Sequence, residues 1–416
     1  MQHSKIISGI DIGTSKVTTI IGQYFSTEDK FNIVAASSIP ATGFRKGQII
    51  NLEEASLTIS QSIESAERMA GFQIDNASIS LTAPHIESIN SKGVVGISNP
   101  SGEITQTDID RVIEAAKAIT LPAGKEIIHV IPRVFTVDGQ EGVIDPIGMN
   151  GVRLEVETHI ILASSPSLKN LRKCLLDLGI RINSLVYSGL AAAKVALTST
   201  EKELGIALID IGGSNTTITI FVEGSPCYSA VIPIGGNNVT NDLAIGMRFS
   251  LDNAEKIKLK LAKLVDNKKF DDEIDLAQFG IVDDKKKISL STAINGIIKP
   301  RLEEIFTLVY NQIQSSGYEH LIPAGIVLTG GGCQTVNTLD ICSKVIPLPL
   351  RIAEPPKVGG IIDDILSPAY TSAVGLLTCS LEDNKKGEFT SPSKKNKVNL
   401  NSFFGRIKNL LEPLLP

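Results

Sequence analysis

Gly9-Ile10-Asp11-Ile12-Gly13-Thr14-Ser15-Lys16-Val17 is an apolar run that meets one carboxylate and then a turn of glycine and hydroxyl residues. Residues 5–10 read as a strand ending at Asp11, and residues 17–22 as a second strand. The unit returns 199 positions later: residues 206–209 form a strand ending at Asp210, Ile211-Gly212-Gly213-Ser214-Asn215 is a turn, and residues 216–222 are the next strand. That spacing is far too long for a solenoid repeat. It predicts a duplicated domain whose two lobes face each other.

The composition agrees. At roughly 100–200 residues per domain, 416 residues make about two to four domains. With 42% apolar and 20% charged residues, the chain can bury a large core and is not a disordered protein. Forty Lys and Arg against 45 Asp and Glu leave a formal charge of −5, which disfavours a bulk nucleic-acid binder. Tryptophan is absent and glycine reaches 35, as in an Ile/Val/Ala-rich α/β protein with many tight turns. The five cysteines (Cys174, Cys227, Cys333, Cys342 and Cys379) show no CxxC spacing, and their odd number suits a reducing compartment. The first residues lack the apolar core of a signal peptide, and no run approaches ~18 apolar residues. The body is therefore expected to be soluble and cytoplasmic.

Around the repeated unit the pattern alternates. Residues 52–71 and 167–178 have helical spacing and stop at Gly71 and Gly179, and residues 76–81 and 182–187 follow them as strands. Two segments interrupt the plan. The first, from about residue 84 to 162, contains strand-like pieces at 94–97, 127–132 and 152–163 and a helix at 107–118 capped by Thr107. The second, from about 241 to 297, is helical and then strongly charged around 266–287. Residues 382–400 are rich in Lys, Asn, Ser, Gly and Pro and read as a disordered linker.

The two turns have a direct chemical use. Glycines let backbone N–H groups approach phosphate oxygens, and Thr14 and Ser15 add hydroxyl donors. Asp11, and Asp210 from the opposite side, could hold waters around Mg²⁺, which keeps several waters and needs few carboxylates. Lys16 is either a charge partner for phosphates or a solvated lysine at a strand start. A buried strand, 326–329, ends in Gly330-Gly331-Gly332, where a flat base could lie against bare backbone. Glu255 and Lys258 are three apart and share one helix face, suited to ribose hydroxyls or simply to solvent. Each piece alone is an ordinary turn or helix face; their order within one duplicated chain points to a triphosphate clamp. The histidines at 3, 85, 129, 159 and 320 show no metal-ligand spacing, and His129 and His159 read as packed or hydrogen-bonded. Cys333 reads as a small buried hydrophobe.

The end of the chain differs from the rest. Phe403, Phe404, Ile407, Leu410, Leu411 and Leu414 make one apolar stripe behind a cap at Asn401 or Ser402, with Arg406, Lys408, Asn409 and Glu412 off the stripe. A helix over 403–412 is only ~15 Å long, too short to span a bilayer but suited to lying in its interface. Docking of this helix on its own protein or on a partner is the alternative. Pro413 ends or frays it. At ~25 cal/mol per Å² six partly buried side chains make a weak anchor, which many copies together would strengthen.

The order of motifs resembles the actin-like ATPase superfamily, with its phosphate-1, phosphate-2 and adenosine segments. Within it the chain is similar to the FtsA family of bacterial division proteins. The residues that narrow the match are the opening stretch, Lys46-Gly47, His129-Val130-Ile131-Pro132, Gly142 with Asp145-Pro146-Ile147-Gly148, Gly151-Val152-Arg153, Gly189-Leu190-Ala191, Ala324 through Gly331, and Pro368-Ala369-Tyr370 with Ala373 through Leu377. The resemblance implies an α/β fold: duplicated actin/Hsp70-like ATPase lobes with two inserted subdomains and a C-terminal amphipathic helix. Subdomain 1A would take residues 1–83 and 164–203, 1C residues 84–163, 2A residues 204–240 and 298–380, and 2B residues 241–297, followed by a linker at 381–400 and a membrane-targeting helix at 401–416. It further implies ATP and Mg as cofactors and an anionic membrane surface, on the cytoplasmic side of the inner membrane at the division site, as the place of action. The implied partners are the C-terminal peptide of the ring protein FtsZ bound by 2B, later division proteins on 1C, and the chain itself in a polymer. In the family the helix over 297–309 borders the FtsZ site, so Arg301 is either a contact for an acidic peptide or a solvated arginine beside Glu304. Two other readings are a pilus-assembly adaptor of the PilM kind and a sugar-type kinase of the same superfamily.

The chain departs from the family at one motif. Where phosphate-2 usually reads Asp-Ile-Gly-Gly-Gly-Thr with a further Asp two positions on, this chain has Ser214, Asn215 and Thr217. A serine replacing glycine at positive φ would cost on the order of 1 kcal/mol. Losing the later carboxylate removes a group that could order water near a γ-phosphate, so nucleotide binding with slow or absent hydrolysis is expected.

Overall fold

The computed structural model describes residues 4–25, 30–265, 273–281, 287–357, 359–360 and 363–387. Two units separate by contact, Met1–Leu381 and Glu382–Pro416. The expected amphipathic helix over 401–416, with Phe403, Phe404, Ile407, Leu410, Leu411 and Leu414, lies outside the described residues, as do most of the charged stretch 266–287 and residues 388–400 of the linker.

The duplication is explicit in the strand order. In the first lobe Ser4–Ile12 pairs antiparallel with Lys16–Phe25, which pairs antiparallel with Lys30–Pro40; on its other side Ser4–Ile12 lies parallel to Asn76–Leu81, which lies parallel to Arg181–Tyr187. In the second lobe Ile206–Ile211 pairs antiparallel with Thr216–Val222, then Ser225–Ile232, and on its other side parallel with Ile326–Thr329 and Leu350–Ile352. The registers match as well: Asp11 stands opposite Thr18, and Asp210 opposite Thr217. Both central strands are apolar on both faces because helices cover them, as parallel sheets require. Ile10, Ile12, Val17 and Ile79 pack with Ile59 and Ile63 in one lobe, and Ile209, Ile218 and Leu328 pack with Val239, Leu302 and Phe306 in the other.

The helices follow their caps. Leu52–Ala70 starts at Asn51, whose side chain accepts from the N–H groups of Glu53 and Glu54, and stops at Gly71 with φ +79°. Ala55, Ile59, Ile63 and Ala66 are its buried stripe. Two short-side-chain helices join the lobes. Ser188–Ala196 packs Ala192, Ala193 and Ala196 against Ile206, Leu208 and Phe221 of the second lobe. Thr371–Gly387 sets Leu376 and Cys379 against Val186 and Ala191 of the first.

The first insert is a separate antiparallel sheet in the order Glu87–Gly96, Arg153–Ser164, Lys125–Val137, Gln140–Val143, with one helix, Gln106–Lys117, on its face. Its core of Ile104, Val112, Phe135, Leu154 and Val156 is its own. Its helix is capped by Thr105, not Thr107: Thr105 N–H donates to Asp108 at 3.1 Å, so the capping box begins two residues earlier and Thr107 falls in the first turn. The second insert holds Leu251–Val265, a small hairpin of Glu273–Asp275 with Lys287–Ser289, and a π-helical turn, Thr292–Ile298. Its Leu261, Leu276, Ile281 and Ile288 belong to the second lobe's core. Helix Gly236–Met247 crosses the expected boundary at 240, and the helical run across residue 298 is continuous with Lys299–Ser316. The helix from Thr371 continues to Gly387, over the first residues of the segment expected as a linker, through residues of adequate helix propensity.

Candidate functional site: a cleft between two equivalent turns

The two Asp-Ile-Gly turns meet at the floor of a cleft of about 360 Å³. They have the same internal geometry. Gly13 N–H donates to the Lys16 carbonyl at 3.1 Å, and Gly212 N–H to the Asn215 carbonyl at 2.9 Å. Across the cleft the turns touch: Ser214 N–H donates to Thr14 Oγ1 at 3.0 Å, and Ser15 Oγ donates to Asn237 Oδ1 at 3.1 Å. A Cβ on Gly213 would fall 2.0 Å from Ser15 Oγ, so the glycine there serves the close approach of the lobes, without positive φ. Ser214 also lacks positive φ, and its replacement of glycine is free of backbone strain.

Asp11 accepts a hydrogen bond from Ser80 Oγ, and Asp210 Oδ2 accepts from Ser372 Oγ at 3.0 Å. Burial raises the pKa of both. Asp210 is pushed up to about 6, by burial first and then by the negative charge of Asp11, with the Ser372 hydrogen bond opposing. Two carboxylates on facing lobes, both made uncomfortable by burial, are a fitting donor set for one hydrated divalent cation. Among the described residues no group of three or more His, Cys, Asp or Glu could hold a metal ion by itself, so a cation here would keep waters or phosphate oxygens as its other ligands.

Glu255 and Lys258 are both in the cleft wall. Lys258 is buried and its Nζ donates to the Gly236 carbonyl at 3.2 Å and Thr240 Oγ1 at 2.8 Å, and pairs with Glu255 at 2.7 Å. Gly330, Gly331 and Gly332 complete the wall. Only the middle one presents open backbone: a Cβ on Gly330 would lie 2.2 Å from Asp210 Oδ1, and one on Gly332 2.4 Å from Ile211 Cγ2, whereas one on Gly331 would meet nothing closer than Ala369 Cβ at 3.5 Å. The structure thus brings together Asp11, Gly13, Thr14, Ser15, Lys16, Asp210, Gly212, Gly213, Asn215, Glu255, Lys258 and the three glycines as lining residues of one cleft.

Arg301 stands apart. Its guanidinium grips Asp242 through Nε and Nη2 and Glu304 through Nη1. It ties helix Lys299–Ser316 to Asp242 of helix Gly236–Met247, a partner that neither reading of this residue named.

Some lining groups escaped the sequence reading. Ser80 and Ser372 reach the aspartates from other strands and helices, Gln334 and Thr82 line the walls, and Gly235-Gly236-Asn237 folds back on the phosphate-2 turn, with Gly236 and Asn237 N–H groups donating to the Gly212 and Gly213 carbonyls at 2.9 and 2.7 Å. The Gly-Gly pair after a strand was a visible signal; the serines had none. Asn215 Oδ1 and Thr217 Oγ1, at two of the three departures from the family motif, are buried without a hydrogen-bond partner.

Comparison with known proteins agrees with this geometry. Residues 83–162 match the family model described as the SHS2 domain inserted in FTSA, and residues 207–375 that of cell division protein FtsA. The chain is 37% identical to cell division protein FtsA of Pseudomonas aeruginosa, over 94% of this chain and 93% of that one.

The chain belongs to the FtsA family of cell division proteins.

Other FtsA relatives are those of Neisseria meningitidis, 38% identical over 92% of both chains, and Escherichia coli K12, 31% identical over 98% and 97%. Among solved structures the fold resembles a chain of the PilM-PilN type IV pilus biogenesis complex (TM-score 0.63, 16% identity, 90% of this chain and 98% of that one) and MreB5 of Spiroplasma citri bound to ADP (0.52, 15%, 93% and 99%). These likenesses establish the actin-like fold; the FtsA family membership rests on the sequence relatives.

Proposed function

We propose that this FtsA-family protein binds ATP with magnesium in the cleft, turns it over slowly or not at all, polymerises on the inner face of the cytoplasmic membrane at the division site, and tethers the FtsZ ring while recruiting later division proteins. The observation that carries the nucleotide part is the pair of equivalent turns, each with a buried aspartate, facing across one cleft. Thr14, Ser15 and the turn amides would hold phosphates, Lys16 would neutralise them, and Glu255, Lys258 and Gly331 would hold ribose and base. Asp11 and Asp210 would hold the magnesium ion through water, and the cation would neutralise phosphate charge. Slow turnover is supported by the wall at Asn215 and Thr217, which offers an amide and a hydroxyl but no carboxylate to take a proton from water.

The kinase reading is disfavoured by the sequence relatives, which at 31–38% identity are division proteins. The pilus-adaptor reading rests on fold likeness at 16% identity, against 31–38% identity to division proteins. Membrane attachment would come from residues 401–416; among the described residues no helix is long and apolar enough to cross a membrane. Sedimentation with anionic liposomes, and pull-down by an immobilised FtsZ C-terminal peptide with and without ATP, test the tether. Liposome binding lost on deletion of residues 401–416, with peptide binding retained, is expected. Liposome binding unchanged by the deletion, or no peptide capture, would refute it.

A further inference from the structure

Lys16 begins the strand that leaves the first phosphate turn, yet its ammonium group lies over the ring of Tyr370, 3.2 Å from the centroid. We propose that Tyr370 is a positioning residue of the nucleotide site: its ring parks Lys16, and a phosphate chain bound between the turns takes the lysine from it. This rests on the nucleotide reading above.

Three observations support the exchange. Lys16 lines the cleft together with Thr14 and Ser15, so its ammonium has two competing places to go, the ring and the phosphate floor. The ring is held firmly. Tyr370 N–H donates to the Ser367 carbonyl at 3.0 Å, and its side chain packs on the first-lobe cluster of Ile7, Ile20, Ile33 and Val374. Third, the ammonium is partly desolvated, which lowers the Lys16 pKa; Tyr370 opposes this first, and the Asp11 carboxylate after it. Desolvation strengthens a cation–π contact and also strengthens attraction to phosphate. A phosphate oxygen, carrying charge, wins over a quadrupole.

The exchange has a structural consequence. Pro368-Ala369-Tyr370 is the turn that starts helix Thr371–Gly387. That start is wired to the second lobe: Ser372 donates to Asp210, Thr329 Oγ1 pairs with Thr371 Oγ1 at 2.7 Å, and Gly330 N–H donates to the Pro368 carbonyl at 3.1 Å. The body of the helix is wired to the first, through Ser380 Oγ donating to the Ser8 carbonyl at 3.0 Å. Release of Lys16 therefore removes one contact at the start of a helix that touches both lobes, and reports there that phosphates are bound.

The test uses the full chain and isothermal calorimetry with ATP, ADP and adenosine. Tyr370→Leu removes the competing ring, so ATP and ADP should bind about 2- to 30-fold more tightly, the range a cation–π contact supplies, while adenosine affinity stays put. Tyr370→Phe keeps a ring and should restore the wild-type affinities. In a Lys16→Met background the effect of Tyr370→Leu should vanish. Because the chain has no tryptophan, Tyr370→Trp also installs a single reporter whose emission should change with ATP and not with adenosine. A Tyr370→Leu effect equal for ATP and adenosine, or one that survives Lys16→Met, would mean that Tyr370 only packs, and would overturn the proposal while leaving the nucleotide site standing. Absence of binding by any of the three ligands would overturn both.

Discussion

Gly330 sits at φ +85° with its missing Cβ pointed at the Asp210 carboxylate. Gly330→Ala would pay left-handed strain and a clash with Asp210 Oδ1 and the Ile211 carbonyl together, about 2–4 kcal/mol. Gly331→Ala, in van der Waals contact only with Ala369, should stay within about 0.5 kcal/mol of the parent. Chemical denaturation of the two variants checks the contrast, and equal stabilities would show that the triple glycine is not built around Asp210. At this scale the aspartates, hydroxyls and glycines of the cleft were legible, because each stands at the end of an apolar run. Ser80 and Ser372 were not, since sequence pattern cannot say which hydroxyl a parallel strand or a distant helix will bring to a buried carboxylate.

Among elements, the informative contact is between the first insert and the edge strand of the second lobe. Ser88 Oγ donates to the Ser229 carbonyl at 2.8 Å, Asn90 Nδ2 to the Cys227 carbonyl at 3.1 Å, and the His159 ring bonds Asn90 Oδ1 at 2.7 Å and Ser229 Oγ at 3.0 Å. His129 accepts from the Tyr187 N–H at 2.9 Å. Burial holds both imidazoles neutral, lowering His129 to about 4 and His159 to about 3, the latter helped by Arg133 and His129. An unfolded histidine takes up a proton below its ordinary pKa near 6.5; these folded ones do not. Their stabilisation is whole above that value and is lost as pH falls below it, at up to about 2 kcal/mol per imidazole by pH 5. The thermal midpoint should therefore drop between pH 7 and 5, and His159→Gln should flatten that drop; an unchanged slope would remove His159 from the account. The sequence pattern located this insert and its helix, and marked the two histidines as packed or hydrogen-bonded. It could not show that His159 closes a polar seam to the second lobe while His129 takes the Tyr187 N–H of the first, because their partners lie up to about 70 positions away. The cap at Thr105 was missed for a local reason, since two threonines two apart compete for one helix start and the Asp108 side chain decides.

For the whole molecule, the duplicated unit announced two lobes, and the strand orders bear that out down to the register of Asp11 and Asp210. What the repeat could not announce is that the turns touch, Gly213 on Ser15 and Ser214 on Thr14, so that a phosphate chain bound as proposed would sit where the lobes meet. In the proposed function a ligand bound there would couple the lobes, and many copies together would strengthen a membrane attachment that is weak one copy at a time. The central claim is the clamp itself. Calorimetric titration of the full chain with ATP, in the presence and absence of magnesium, tests it directly. One equivalent should bind, tighter by tenfold or more with magnesium, and Asp210→Asn should lose most of that magnesium dependence. No binding, or binding indifferent to both magnesium and Asp210, would contradict the account.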